Sequence, residues 1–215
     1  MSLSVLVTNT KGGCGKTTIA TTLATAFAVA GFKTALADVD RQRSSLGWLA
    51  TRPATAAPIT GLDWRKAADS KPAGTQRLVI DVPAGLRLGH VQDLLKSADV
   101  VIVPVLPSVF DERSTSRFLE KLESIKPIAR GRKRVLVVAN RLRPRQKAAQ
   151  HLLEHLAEAG LEPTARLAER TLYGELAMGG LGLFDLDQRR DQRRAAAGRE
   201  DWLPLLAAIE RAAAR

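Results

Sequence analysis

Five short stretches of this chain, Ser4–Thr8, Thr34–Ala37, Leu78–Ile80, Val100–Val105 and Val135–Ala139, are apolar almost without a break. A strand with one wet face alternates apolar and polar residues, whereas a strand covered on both faces does not. Runs of the second kind belong to parallel sheets, whose strands are joined by long crossovers, usually helices. The segments between them have the required spacing. Ile19, Leu23, Phe27 and Ala30 recur at helical intervals ahead of a stop at Gly31, and further helices are expected over Leu88–Lys96, Ser114–Ser124 and Lys147–Glu158. The expected fold class is α/β, with a doubly wound, mostly parallel sheet flanked by helices and residues 1–215 forming a single domain. Arg52–Gly74, with its three prolines, reads as a loop-rich excursion. The tail from about Asp187 reads as helices packed on the domain, broken near Gly198 and restarted before Trp202.

Composition narrows the function. A hydrophobic content of 45% supports a real core, and no apolar run approaches the length of a membrane span. The single cysteine, Cys14, excludes an internal disulfide and a four-cysteine metal cluster. The opening residues lack a basic region followed by an apolar segment, so a cytoplasmic protein is expected. A net charge of +11 and a pI near 10.5 favour polyanionic partners. Only 4% of residues are aromatic, which argues against base stacking on single strands and makes any nucleic-acid binding mostly electrostatic.

The chemistry is concentrated between the first strand and the first helix, where Lys-Gly-Gly-Cys-Gly-Lys-Thr-Thr occupies residues 11–18. In that context the stretch reads as a phosphate-binding loop. Gly12, Gly13 and Gly15 let backbone N–H groups turn toward phosphates, with Cys14 as a small filler and Thr18 opening the helix. Lys16 suits the β- and γ-phosphates of ATP, and Thr17 suits Mg²⁺. Two further apolar strands end in acids, at Asp38 and Asp40 and at Asp81. Ligands of open α/β sheets sit at the carboxyl ends of strands, so these acids are expected to converge on the loop. Asp81 is assigned with Thr17 to the metal; of Asp38 and Asp40, one can support metal or loop position and the other can orient the attacking water, with Asp38 placed at the metal and Asp40 at the water.

One residue is left over. A phosphate loop needs one lysine, and this one has Lys11 as well. "KGGCGKTT", "DVDRQRS" and "DVPAG" together resemble the ParA/MinD group of deviant Walker-A ATPases, in matching order along nearly the whole chain. The resemblance implies ATP and Mg²⁺, slow partner-stimulated hydrolysis, and an ATP-bound homodimer in which Lys11 touches the partner's phosphates. It also implies adenine recognition by Asn140 and a ParB-like or other cargo adaptor. The chain departs from the family pattern at Arg41, where proline is usual.

Within that group the branch expected is a ParA-like ATPase that binds nucleoid DNA and partitions or positions an intracellular cargo. The alternatives are a MinD-like membrane-associated ATPase or a metabolic ATP-dependent enzyme. The final apolar residues Trp202, Leu205, Leu206 and Ile209 are interspersed with acids, which favours a core-packing helix over a membrane anchor. Two basic patches are candidates for DNA contact. Arg189, Arg190, Arg193 and Arg194 would share one broad helical face, and Arg132 and Lys133 lie in an acid-free stretch between Ser124 and Leu153.

Overall fold

The computed structural model describes residues 2–66, 71–86, 88–143, 145–186 and 192–214, with backbone alone at 88, 109–114 and 192–194. The chain runs β1 (Leu3–Val7), α1 (Lys16–Val29), β2 (Thr34–Asp38), α2 (Ser44–Ala50), β3 (Ile59–Asp63), β4 (Arg77–Asp81), α3 (Leu88–Leu95) and β5 (Val100–Val105). It continues through α4 (Val109–Glu123), α5 (Lys126–Ala129), β6 (Arg134–Leu142), α6 (Lys147–Glu158), β7 (Ala165–Ala168) and α7 (Leu172–Met178). A 3-10 turn (Leu183–Asp185) leads toward α8 (Gln192–Glu200) and α9 (Leu203–Ala213).

The apolar runs become strands buried along their whole length: every residue of β1, β2, β4 and β5 is buried. Among the described residues the sheet has seven strands in the order β3-β2-β4-β1-β5-β6-β7, and every pairing is parallel. Helices cover both faces. Ile19, Leu23 and Phe27 of α1 share one core with Leu172, Trp202, Leu205 and Ile209. Val91, Leu95, Phe118, Leu122, Leu152 and Leu156 fill the other. All carboxyl ends therefore open on one edge of the sheet, and the register places Asp81 level with both Val7 and Asp38.

α9 is a core helix. Leu205 and Ile209 are fully buried, and each such side chain contributes about 2 kcal/mol relative to exposure. Its Glu210 accepts two hydrogen bonds from Arg77, whose guanidinium also lies 3.8 Å from the Phe32 ring centroid. Among the described residues no helix is long and apolar enough to cross a membrane.

Several boundaries differ from the sequence expectation. The excursion 52–74 contains β3, an edge strand pairing with β2 along its full length. β7 adds a second unexpected strand at the opposite edge. The C-terminal break falls at Asp201–Trp202, not at Gly198, which lies inside α8. A Cβ on Gly198 would stand 3.1 Å from Leu183 Cδ1, so the glycine serves close packing and not helix termination.

Candidate nucleotide-binding site

β1 ends at Val7, and the loop 8–15 turns over the carboxyl edge before α1 begins. Gly13 and Gly15 adopt positive φ, at 71° and 87°, a region that costs an L side chain but not glycine. At Gly15 a Cβ would also collide with the side-chain nitrogen of Asn140. α1 starts with no side-chain cap and no acid in its first turn. Its leading N–H groups and the positive end of its dipole thus favour an anion.

The loop is braced from below. Lys16 is buried, and its Nζ donates to the Lys11 carbonyl at 2.7 Å. Cys14 is buried beside it, its Sγ 3.3 Å from the same carbonyl, and burial pushes the thiol pKa up despite the nearby ammonium. That makes Cys14 a filler and not a nucleophile. Asn140, at the end of β6, donates to the Cys14 carbonyl at 2.8 Å. Its amide nitrogen is therefore engaged with the loop itself, a role the sequence assignment to adenine did not include. Together with Gly15, Thr18, Arg141, Glu169 and Trp202 it lines a small cleft of about 150 Å³.

The acids separate into different tasks. Asp81 is buried, and its Oδ1 has no hydrogen-bond partner. Burial pushes its pKa up to about 7; Asp38 pushes the same way, while Thr17, Lys16 and Ser45 oppose the shift. An orphaned, desolvated carboxylate oxygen beside a threonine hydroxyl fits a divalent cation, which would supply the missing positive charge. The described residues hold no cluster of three or more side-chain metal ligands. Mg²⁺ does not need one, since it keeps waters and phosphate oxygens around one or two protein groups.

Asp38 is not oriented as an open ligand. Its Oδ2 accepts from Ser45 N (3.0 Å), Ser45 Oγ (2.8 Å) and Leu46 N (3.1 Å), and its Oδ1 accepts from Asp40 N at 2.9 Å. It caps α2 from the end of β2, which is the loop-supporting one of the two roles the sequence left open for it. Asp40 follows two residues later, at the same carboxyl edge of the sheet. It accepts from Gln42 N at 3.0 Å and faces a cleft of about 690 Å³ shared with Arg41, Trp64, Lys66, Ala84 and His90.

Other residues escaped the sequence reading. Trp48 donates from Nε1 to the Leu181 carbonyl at 3.2 Å. Arg52 makes a bidentate pair with Asp185 at 2.8 and 2.6 Å, with both side chains about 5% exposed or less. Gly180 leaves no room for a Cβ against the Arg52 backbone. These contacts fasten α2 to the segment after α7. Their partners are distant in sequence, and no local motif announces them.

Of the DNA candidates, Arg189 and Arg190 lie outside the described residues, as do the side chains of Arg193 and Arg194. Arg132 is exposed at the amino end of β6, away from the nucleotide edge. Lys133 is half-buried and donates to the Ala98 carbonyl, and burial pushes its pKa down. This ties its ammonium back into the fold and weakens its candidacy. Arg141 and Arg143 are likewise paired with Glu169.

The family model for the CobQ/CobB/MinD/ParA nucleotide binding domain matches residues 5–178, from β1 through α7. The chain belongs to this family. It is 28% identical over 197 residues to Maintenance of carboxysome distribution protein A of Halothiobacillus neapolitanus, covering 87% of this chain and 89% of that one. Among solved structures, it superposes on the Aquifex aeolicus MinD of a MinC:MinD cell division complex with a TM-score of 0.73 and 18% identity, over 96% of each chain. The ATP complex of a Cyanothece McdA matches with a TM-score of 0.71 and 16% identity, over 99% of this chain and 96% of the other. Both structures share the fold of this chain at identities too low to carry more than that.

Proposed function

We propose that this chain is a ParA-like positioning ATPase, acting as one unit over residues 1–215, whose ATP-bound form is a sandwich homodimer. The observation that carries the reading is the loop itself: two lysines joined through one peptide carbonyl over an uncapped helix N-terminus, beside a buried acid with an orphaned oxygen. Lys16 exchanges the Lys11 carbonyl for phosphate oxygens when ATP enters. Lys11, half-exposed at the rim, reaches the phosphates of the second subunit, so dimer formation depends on the charge that ATP brings. Mg²⁺, held through Thr17 and Asp81, would neutralise charge on the phosphates. Asp40 orients the attacking water once its loop swings toward the nucleotide, a movement that an adaptor protein promotes.

Non-specific duplex DNA is the surface on which the dimer works, consistent with a net charge of +11. The cargo is a plasmid, a chromosomal locus or a protein assembly, and the name of the 28% identical relative supports the last. Light scattering with ATP and Mg²⁺ tests the core of this reading. Wild type should double in mass, Lys16→Ala should lose nucleotide binding, and Lys11→Ala should bind nucleotide yet stay monomeric. A normal ATP dimer from Lys11→Ala refutes the sandwich. ATP-dependent liposome binding in place of DNA binding moves the protein to the membrane branch.

A further inference from the structure

We infer that Asn9 is a positioning residue for Lys11, standing in for the main chain of β1 at the point where the phosphate loop leaves the sheet. The inference rests on the reading of Lys11 as a phosphate-contacting group. The last β1–β5 ladder bond runs from Thr8 N to the Ile102 carbonyl at 3.0 Å. In a regular parallel ladder, the next β5 carbonyl on that side, Pro104 O, would receive the N–H of residue 10. It receives Asn9 Nδ2 instead, at 2.7 Å. The side-chain amide fills the ladder position, so the backbone can turn away without abandoning a buried carbonyl.

The other end of the same amide is also engaged. Asn9 Oδ1 accepts the Lys11 N–H at 3.1 Å and lies 3.4 Å from the Thr10 hydroxyl. The Lys11 carbonyl, meanwhile, accepts from Lys16 Nζ. Both polar groups of the Lys11 backbone are thereby clamped, one to β5 through Asn9 and one to Lys16. Asn9 itself is 2% exposed and both ends of its amide are already engaged, so it acts through its neighbours. Asparagine is required because the site needs a donor and an acceptor on one short planar group. Alanine provides neither, and a serine hydroxyl is too short to bridge β5 to the loop.

A mutant cycle with a direct structural readout tests this. ATP hydrolysis and nucleotide affinity are measured for wild type, Asn9→Ala, Asn9→Ser, Lys11→Ala and the Asn9→Ala/Lys11→Ala double variant, with thermal melts of each. Asn9→Ala should lower turnover about as far as Lys11→Ala while changing nucleotide affinity little, and the double variant should be no slower than Lys11→Ala alone. Independent, multiplying losses overturn the inference. Amide hydrogen exchange at Lys11, followed by NMR in the nucleotide-free protein, decides the point without any activity. Exchange should accelerate about tenfold in Asn9→Ser, the scale of one lost hydrogen bond, while the amides of β1 keep their protection even though the abandoned Pro104 carbonyl lowers the melting temperature. Unchanged protection of the Lys11 N–H overturns the inference even if the protein hydrolyses ATP as proposed. A wild type that hydrolyses no ATP refutes the proposed function, and the exchange result still stands or falls by itself.

Discussion

α1 and α2 leave the same edge of the sheet in the same way, yet their N-termini end in opposite states. Each helix is entered through a residue in the left-handed conformation, Gly15 at φ 87° and Arg43 at φ 55°. Behind Gly15 the leading N–H groups of α1 meet no side-chain cap. Behind Arg43, the carboxylate of Asp38 accepts from Ser45 and Leu46 and closes the helix end. One N-terminus is kept open for an anion from solution, and the other is occupied by an anion from the chain. A helix N-terminus is thus a generic anion site, and what decides between binding and latching is whether a neighbouring strand supplies the acid.

Three substitutions bear on that contrast. The largest effect is expected at Gly15. Gly15→Ala places a Cβ at φ 87° against the Asn140 side chain, forcing the loop off its brace. ATP affinity should fall by about a thousandfold, equivalent to about 4 kcal/mol, by titration calorimetry. Affinity within tenfold of wild type would mean the open end of α1 is not where the nucleotide binds.

Asp38→Ala should leave nucleotide affinity much less affected but strip α2 of its cap, with buried donors left unpaired. A loss of about 3 kcal/mol in urea unfolding is expected in the absence of nucleotide. Full nucleotide-free stability combined with weakened Mg²⁺ dependence would make Asp38 a metal ligand after all.

The smallest effect is at Arg43. Its left-handed backbone is strained for a side chain, and among the described residues its ion-pair contact is a 3.9 Å approach to Asp63. Arg43→Gly should stabilise the protein by about 0.5–1 kcal/mol, visible as a rise of a few degrees in melting temperature. Destabilisation would show that Arg43 makes an energetic contribution its backbone geometry does not reveal.

The same contrast explains what the sequence could disclose. The phosphate loop was legible because its chemistry is local: glycines, lysines and a threonine must follow one another at fixed spacing. Asp81 was legible for a similar reason, being delivered by an unbroken apolar strand into a Pro-Ala-Gly turn. The latch was not. Asp38 and Leu46 are eight residues apart, and a carboxylate that caps looks identical in sequence to one that ligates. The Arg52–Asp185 pair joins residues 133 apart, beyond any local pattern. β3 was hidden because it is an edge strand with only partial burial and a glycine, Gly61, lodged against Leu46 and Leu49. Gly198 misled because glycine marks both helix ends and close approaches, and only packing tells them apart.

The position of α9 has a consequence for how the molecule comes into being. Trp202, Leu205 and Ile209 pack in the same core as Leu3, Val5 and Val7 of β1, a strand synthesised long before them. That core therefore has an open wall during translation, until α9 emerges from the ribosome and Glu210 meets Arg77. Chain growth is slow compared with helix formation and collapse. The nascent sheet spends that interval with α1 and α7 covering only part of one apolar face, and the chain's own final folding step is the closing of that wall.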